Sequence, residues 1–246
     1  MTDRSMDIIG HLEELRQRII ISALAILLAT GIAFFFSGQI LQFLLIPSGG
    51  LALKGFGLMD GFMIKWRIAL YTGITVAFPI WAYQIYKFVS PGLLPNERKV
   101  VFPTLFGSLV LFALGSLFGY YLLTGMIRVL IQLYPPQVQY LPSADDYISF
   151  VTFFLLACGL AFQLPTILII LVQLHILSSS IMRKQRRIAY FALFAFAEII
   201  TPVSDPIVAP LTVMGPLVIL YEFSIFAAMR IEAGRRREKT ELNRTG

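Results

Sequence analysis

Charge is scarce in this chain of 246 residues. Asp, Glu, Lys and Arg make up 14% of it, against about 25% in soluble domains, while 57% of the residues are hydrophobic. That balance excludes an ordinary water-soluble domain. Cysteine occurs once, as Cys158, so no internal disulfide forms, and its apolar surroundings make it a packing residue. Histidine occurs only as His11 and His175. These are far apart and lack the His-Glu-x-x-His spacing of metalloproteases, and no membrane-embedded histidine is present to serve a serine nucleophile as base. Aspartyl chemistry needs paired carboxylates at depth. The adjacent Asp145 and Asp146 lie instead at a surface, where they suit the start of a helix. Walker and dinucleotide glycine motifs are missing as well. The expectation is a protein that is not an enzyme and needs no metal or cofactor.

Long apolar runs are what the sequence has. Six segments, at about 19–36, 68–86, 100–123, 148–174, 188–200 and 207–229, are candidates to cross a bilayer. They are continuous rather than alternating, which excludes an outer-membrane barrel. Backbone in lipid must satisfy its own hydrogen bonds, so the fold class is all-α. Segment 19–36 is too long for a signal-peptide core and lacks a small-residue cleavage site. Outside the segments, sixteen Lys and Arg residues fall on one side and four on the other. The positive-inside rule then places both termini in the cytoplasm. The net charge of +6 follows from this topology, and no nucleic-acid partner is expected. The tail at 235–239 reads as a solvated, lipid-facing anchor. No repeat or soluble domain interrupts residues 1–246, which read as one integral membrane domain.

The spans are unequal. The fourth is about 40 Å long and the fifth about 20 Å at ~1.5 Å per residue, short of a roughly 30 Å hydrocarbon core. The proline-rich turn Thr201-Pro202-Val203-Ser204-Asp205-Pro206 ends the fifth. The last two helices are expected to form a short hairpin.

The remaining polar residues are candidates for function. His11, Glu14 and Arg18 share one helix face just before the first span (i, i+3, i+7). Glu14 reads either as an i,i+4 partner of Arg18, worth about 0.2–0.5 kcal/mol, or as a ligand group. Glu97 follows Asn96 between spans two and three and reads either as a first-turn acid or as a second ligand group. Both acids fall on the cytoplasmic side. Together they suit a ligand with two guanidinium groups, because arginine binds carboxylate bidentately. Within the membrane, Glu198 and Glu222 are the costly charges. Gln163, followed by Pro165, lies near the middle of span four, at a depth matching Glu198.

At these residues the chain resembles the TatC family, the receptor subunits of the bacterial twin-arginine protein translocase. The resemblance covers nearly the whole chain. It rests on His11-Leu12-x-Glu14-Leu15-Arg16-x-Arg18 and on Phe88-Val89-Ser90-Pro91-Gly92-Leu93 with Glu97-Arg98. Further matches are Phe162-Gln163-Leu164-Pro165 and the outer turn Thr201-Pro202-x-x-Asp205. It implies a cup-shaped bundle of six transmembrane helices in a bacterial or archaeal cytoplasmic membrane. Glu14 and Glu97 match the acids that contact the twin-arginine motif of signal peptides on folded cargo, with Phe88 and Arg16 beside them. Single-span partners of the TatA and TatB type dock near spans four to six, the receptor self-associates, and transport runs on the proton-motive force. The chain departs from the family at Gln163, where a glutamate is usual. Glu198 is expected to take over that polar contact with a partner helix, with Glu222 nearby. The competing reading is a proton-coupled transporter of a small solute, with Glu198 and Glu222 as proton carriers.

Overall fold

The computed structural model describes residues 8–90, 101–132, 135, 137, 141–201 and 208–245. Within these, every regular element is a helix, and the one β-bridge joins Lys54 to Ser143. The residues group into two compact units, 1–109 with 139–156 and 110–138 with 157–246.

The first unit holds α1 (Ile8–Phe35), α2 (Ser37–Leu45), a 3-10 turn (Ile46–Ser48), α3 (Asp60–Val76) and α4 (Phe78–Val89). It also holds the starts of α5 (Val101–Gln132) and α6 (Ala144–Ala161). Helices α1 and α3 meet at Gly73. A Cβ there would sit 2.7 Å from the backbone N of Thr30 and 2.8 Å from its Cα. Only a residue without a side chain lets the two backbones come this close, as small residues do at membrane helix contacts. Segment 68–86 was expected as one span. The structure starts its helix earlier, at Asp60, and bends it by 48° between α3 and α4. Pro79, in the first turn of α4, has no N–H to donate. Trp81 Nε1 donates to the Ile74 carbonyl at 3.1 Å and so satisfies an acceptor beside the break.

At the far end of α1, several contacts tie the loops together. Tyr147 Oη donates to the Leu44 carbonyl at 2.8 Å. Lys54 exchanges backbone bonds with Pro142 and Ala144. Arg67 pairs with Asp145 at 3.2 Å and also donates to Ser149. Asp145 and Asp146 stand in the first turn of α6, as expected.

The second unit holds the rest of α5 and α6, then α7 (Leu164–Gln173), α8 (Ser179–Lys184), α9 (Arg186–Ile200) and α10 (Val208–Thr245). Gly115 of α5 lies against the end of α6, where a Cβ would come 2.6 Å from the Cys158 carbonyl. Span four is broken at Phe162–Gln163, with Pro165 opening α7. Among the described residues, four helices are long and apolar enough to cross a membrane, or five if α3 and α4 form one bent span. The sixth expected span, α9, has 15 residues. That is about 22 Å, short of the hydrocarbon core as the sequence indicated.

Helix α10 runs to Thr245, and of the basic tail read as a solvated anchor it is Arg235 that proves to be engaged. Arg235 Nη1 and Nη2 donate to the carbonyls of Val172 and Gln173 at 3.1 and 2.9 Å, capping the C-terminus of α7. One turn earlier, Glu232 accepts bonds from the Ser179 backbone N–H and hydroxyl at 2.8 and 2.6 Å. Charges of each sign thus meet the helix ends they complement. They hold the turn in which His175 adopts a left-handed φ of 61°.

Candidate functional site

The face of α1 expected from the sequence forms a cluster with α4. Glu14 Oε1 accepts from Arg18 Nη2 at 2.7 Å. The other guanidinium nitrogen, Arg18 Nη1, donates to Gln84 Oε1 at 3.0 Å. His11 stacks on Phe88 with ring centroids 4.3 Å apart and planes within 9°. Its Nδ1 stands 3.7 Å from Glu14 Oε2. The spacing of 3 and 4 along α1 and of 4 along α4 puts one turn of each helix into the contact.

The Glu14 and Arg18 side chains are 19% and 16% exposed. The pair therefore lies between a surface ion pair and a buried charge-assisted bond, worth about 1–2 kcal/mol. The i,i+4 pair with Arg18 thus forms, but it does not use up Glu14. A carboxylate accepts about four hydrogen bonds, and here Arg18 occupies one oxygen while the second faces the half-exposed imidazole. The arrangement is able to take a further cationic donor beside an aromatic stack.

Sequence reasoning missed Gln84. It is buried on α4, and its one signal in the sequence is that of a neutral amide inside an apolar run, as for Gln163. Arg16 and Glu13 lie on the exposed side of α1, away from the cluster. Glu97, Pro202 and Asp205 lie outside the described residues. Thr201 is buried, and its hydroxyl donates to the Ala197 carbonyl at 2.6 Å at the end of α9.

The acids of the second unit separate into two kinds. Glu222 is not a bare charge. Its carboxylate accepts from Arg186 Nη2 and Tyr190 Oη, each at 2.6 Å. Glu198 lies in the last turn of α9, exposed, and no partner touches it among the described residues. Gln163 is buried at the α6–α7 break. Glu198 and Gln163 are thus opposite in exposure. Among the described residues, no group of three His, Cys, Asp or Glu is placed to hold a metal ion.

Long apolar helices with a half-buried charged cluster at one end define a polytopic membrane protein. Comparison with known proteins identifies which one. Residues 10–216 match the family TatC, Sec-independent protein translocase protein (TatC). The TatC protein of Carboxydothermus hydrogenoformans is 37% identical over 235 residues, covering 94% of this chain and 96% of its own. That of Deinococcus radiodurans is 33% identical, covering 90% and 85%. A crystal structure of the twin arginine translocase receptor TatC superposes with a TM-score of 0.76 at 33% identity, over 89% of this chain and 98% of that one. The same receptor in DDM gives 0.78. The chain belongs to the TatC family. It is a component of a Sec-independent protein translocase and is embedded in a membrane with other Tat subunits.

Proposed function

We propose that this chain is the receptor that binds twin-arginine signal peptides of folded proteins and nucleates their export across the cytoplasmic membrane, driven by the proton-motive force. The observation that carries this reading is the Glu14 carboxylate, held by Arg18 at 2.7 Å with its second oxygen facing the His11–Phe88 stack. A guanidinium of the signal peptide fits there, bonding to the carboxylate and lying on an aromatic face. Glu97 takes the second arginine, and Arg16, on the exposed side of α1, meets the signal peptide outside the cluster. The likeness to two crystal structures of the twin arginine translocase receptor TatC supports the assignment.

Both termini are cytoplasmic in this reading, as the excess of Lys and Arg on one side implies. TatA- and TatB-type single-span subunits dock on the second unit. There the exposed Glu198 and the α6–α7 break at Gln163 supply polar contacts within the membrane, and Glu222 braces α9 against α10. Thr201, Pro202 and Asp205 are assigned to the same reading as the outer-turn motif. The chain self-associates in the receptor complex and uses neither metal nor cofactor.

The test is photo-crosslinking in membranes from a probe placed at Phe88 to a cargo bearing a twin-arginine signal peptide. Glu14→Ala or Glu97→Ala should weaken the adduct while the protein's thermal unfolding barely moves. Undiminished crosslinking in both variants would argue against the site.

A further inference from the structure

The start of α3 carries an apolar surface that stays largely exposed among the described residues, with only the Phe62 ring meeting another, that of Phe34, at 6.4 Å between centroids. Met59, Phe62, Met63 and Trp66 follow the i, i+3, i+4, i+7 spacing of one helix face and are 41–62% exposed. The turn that precedes them adds Phe56 at 70% and Leu58, fully exposed. This turn is built rather than frayed. Asp60 Oδ2 accepts the backbone N–H groups of Phe56 and Gly57, both at 2.7 Å. A Cβ at Gly57 would lie 3.2 Å from the Asp60 carboxyl carbon, so the bracket closes only on glycine. The side chain at the apex, Leu58, is thereby pushed outward.

What covers this surface follows from its neighbours. The patch is continuous with the outward side of α3, which together with α4 is apolar enough to cross a membrane. Its charges are complementary to lipid phosphate. Lys54 and Lys65 flank it, both exposed, and the one carboxylate, Asp60, is turned inward onto the backbone. Six large apolar side chains bordered by lysine and containing tryptophan have the composition of a membrane interface, where tryptophan sits at headgroup level and lysine stems lie along apolar surface. A patch of this kind facing water would be an association liability.

We propose that the turn and first helical face at 56–66 insert into the headgroup–acyl boundary of an anionic leaflet, at the end of the first unit remote from Glu14. Leu58 and Phe56 dip below the phosphates, and Lys54 and Lys65 bind them. The bracket made by Asp60 fixes the insertion depth before lipid is met. The membrane then grips this unit at a loop as well as along its spans. The inference is independent of signal-peptide binding.

The experiment uses the full-length protein in vesicles of phosphatidylethanolamine and phosphatidylglycerol. Cys158 is the single cysteine, so Cys158→Ala with Leu58→Cys accepts one environment-sensitive dye. A lipid carrying a spin label near the top of its acyl chain should remove about half of the dye's emission, as expected for a group in the boundary region, and aqueous iodide should remove none. Iodide quenching as strong as for free dye would overturn the proposal. So would protection from both quenchers, the result expected if a second copy or another protein covers the patch. Trp66 gives the same readout without a label. Trp81→Phe leaves it as the single tryptophan, and its emission should fall with the spin-labelled lipid and not with iodide. Asp60→Ala should lower lipid quenching at position 58 while leaving it unchanged at Trp66. Equal quenching at both would overturn the role of the bracket.

Discussion

Replacing Gly73 with alanine puts the packing of α1 on α3 to a direct test. The added Cβ would meet the Thr30 backbone at 2.7 and 2.8 Å. Ordinary contact begins near 3.4 Å, so α1 must retreat by roughly 0.7 Å along the line of contact; the Thr30 hydroxyl, nearest of all, is able to rotate away, but the two backbone atoms behind it are not. Overpacking of this kind costs about 1–3 kcal/mol. It is offset by up to about 1 kcal/mol from the better helix propensity of alanine. Gly31, one residue from Thr30 on the same helix, has nothing within 4 Å of an added Cβ, so Gly31→Ala keeps the propensity gain without the clash. The difference between the two variants isolates the contact at about 1–3 kcal/mol. In thermal unfolding of the purified protein this separates their midpoints by about 2–12 °C, at ~2–4 °C per kcal/mol for a chain of this size. Thr30→Ala removes the nearest obstructing atom, the hydroxyl, and should rescue Gly73→Ala only in part, because the backbone N and Cα behind it remain. Equal midpoints for the two glycine variants would refute the claim that Gly73 sets the approach of α1.

Other expectations follow from single contacts. Gln84→Leu leaves Arg18 Nη1 without its acceptor and should lower stability by about 1–3 kcal/mol, with weaker twin-arginine peptide binding measured by crosslinking. Tyr190→Phe removes one of two bonds to Glu222 and should cost about 1 kcal/mol in thermal unfolding, less than Arg186→Ala, which leaves the acid without its counter-charge. Arg235→Ala uncaps α7. It should speed amide exchange at 172–179 about tenfold for each ~1.4 kcal/mol lost, with α9 unaffected.

The parts legible in the sequence are those governed by local spacing. The face His11, Glu14, Arg18 follows from helix geometry, and the structure adds the partner helix. The shortness of α9 was legible from the run of 13 apolar residues and the prolines beyond it. The break at Ala77 was not read, although Pro79 in the middle of segment 68–86 announces it, because apolar continuity was given more weight than the missing N–H. Phe88 was legible only through the family motif, since nothing local distinguishes it from other aromatics of α4. The pairing of Glu222 with Arg186 and the capping of α7 by Arg235 join residues 36 and 62–63 positions apart. Periodicity carries no information at that range, so Glu222 reads as a bare charge and Arg235 as part of a solvated anchor.

The central claim is that Glu14 reads arginine by geometry and not by charge alone. Equilibrium binding of a signal peptide with an Arg-Arg pair, and of the same peptide with Lys-Lys, to the protein in lipid discs tests this most directly. The account predicts that the arginine peptide binds about tenfold more tightly, one forked charge-assisted contact being worth ~1.4 kcal/mol beyond a point charge. It also predicts that Glu14→Gln removes most of that preference. A preference that survives intact in both Glu14→Gln and Glu97→Gln would contradict it.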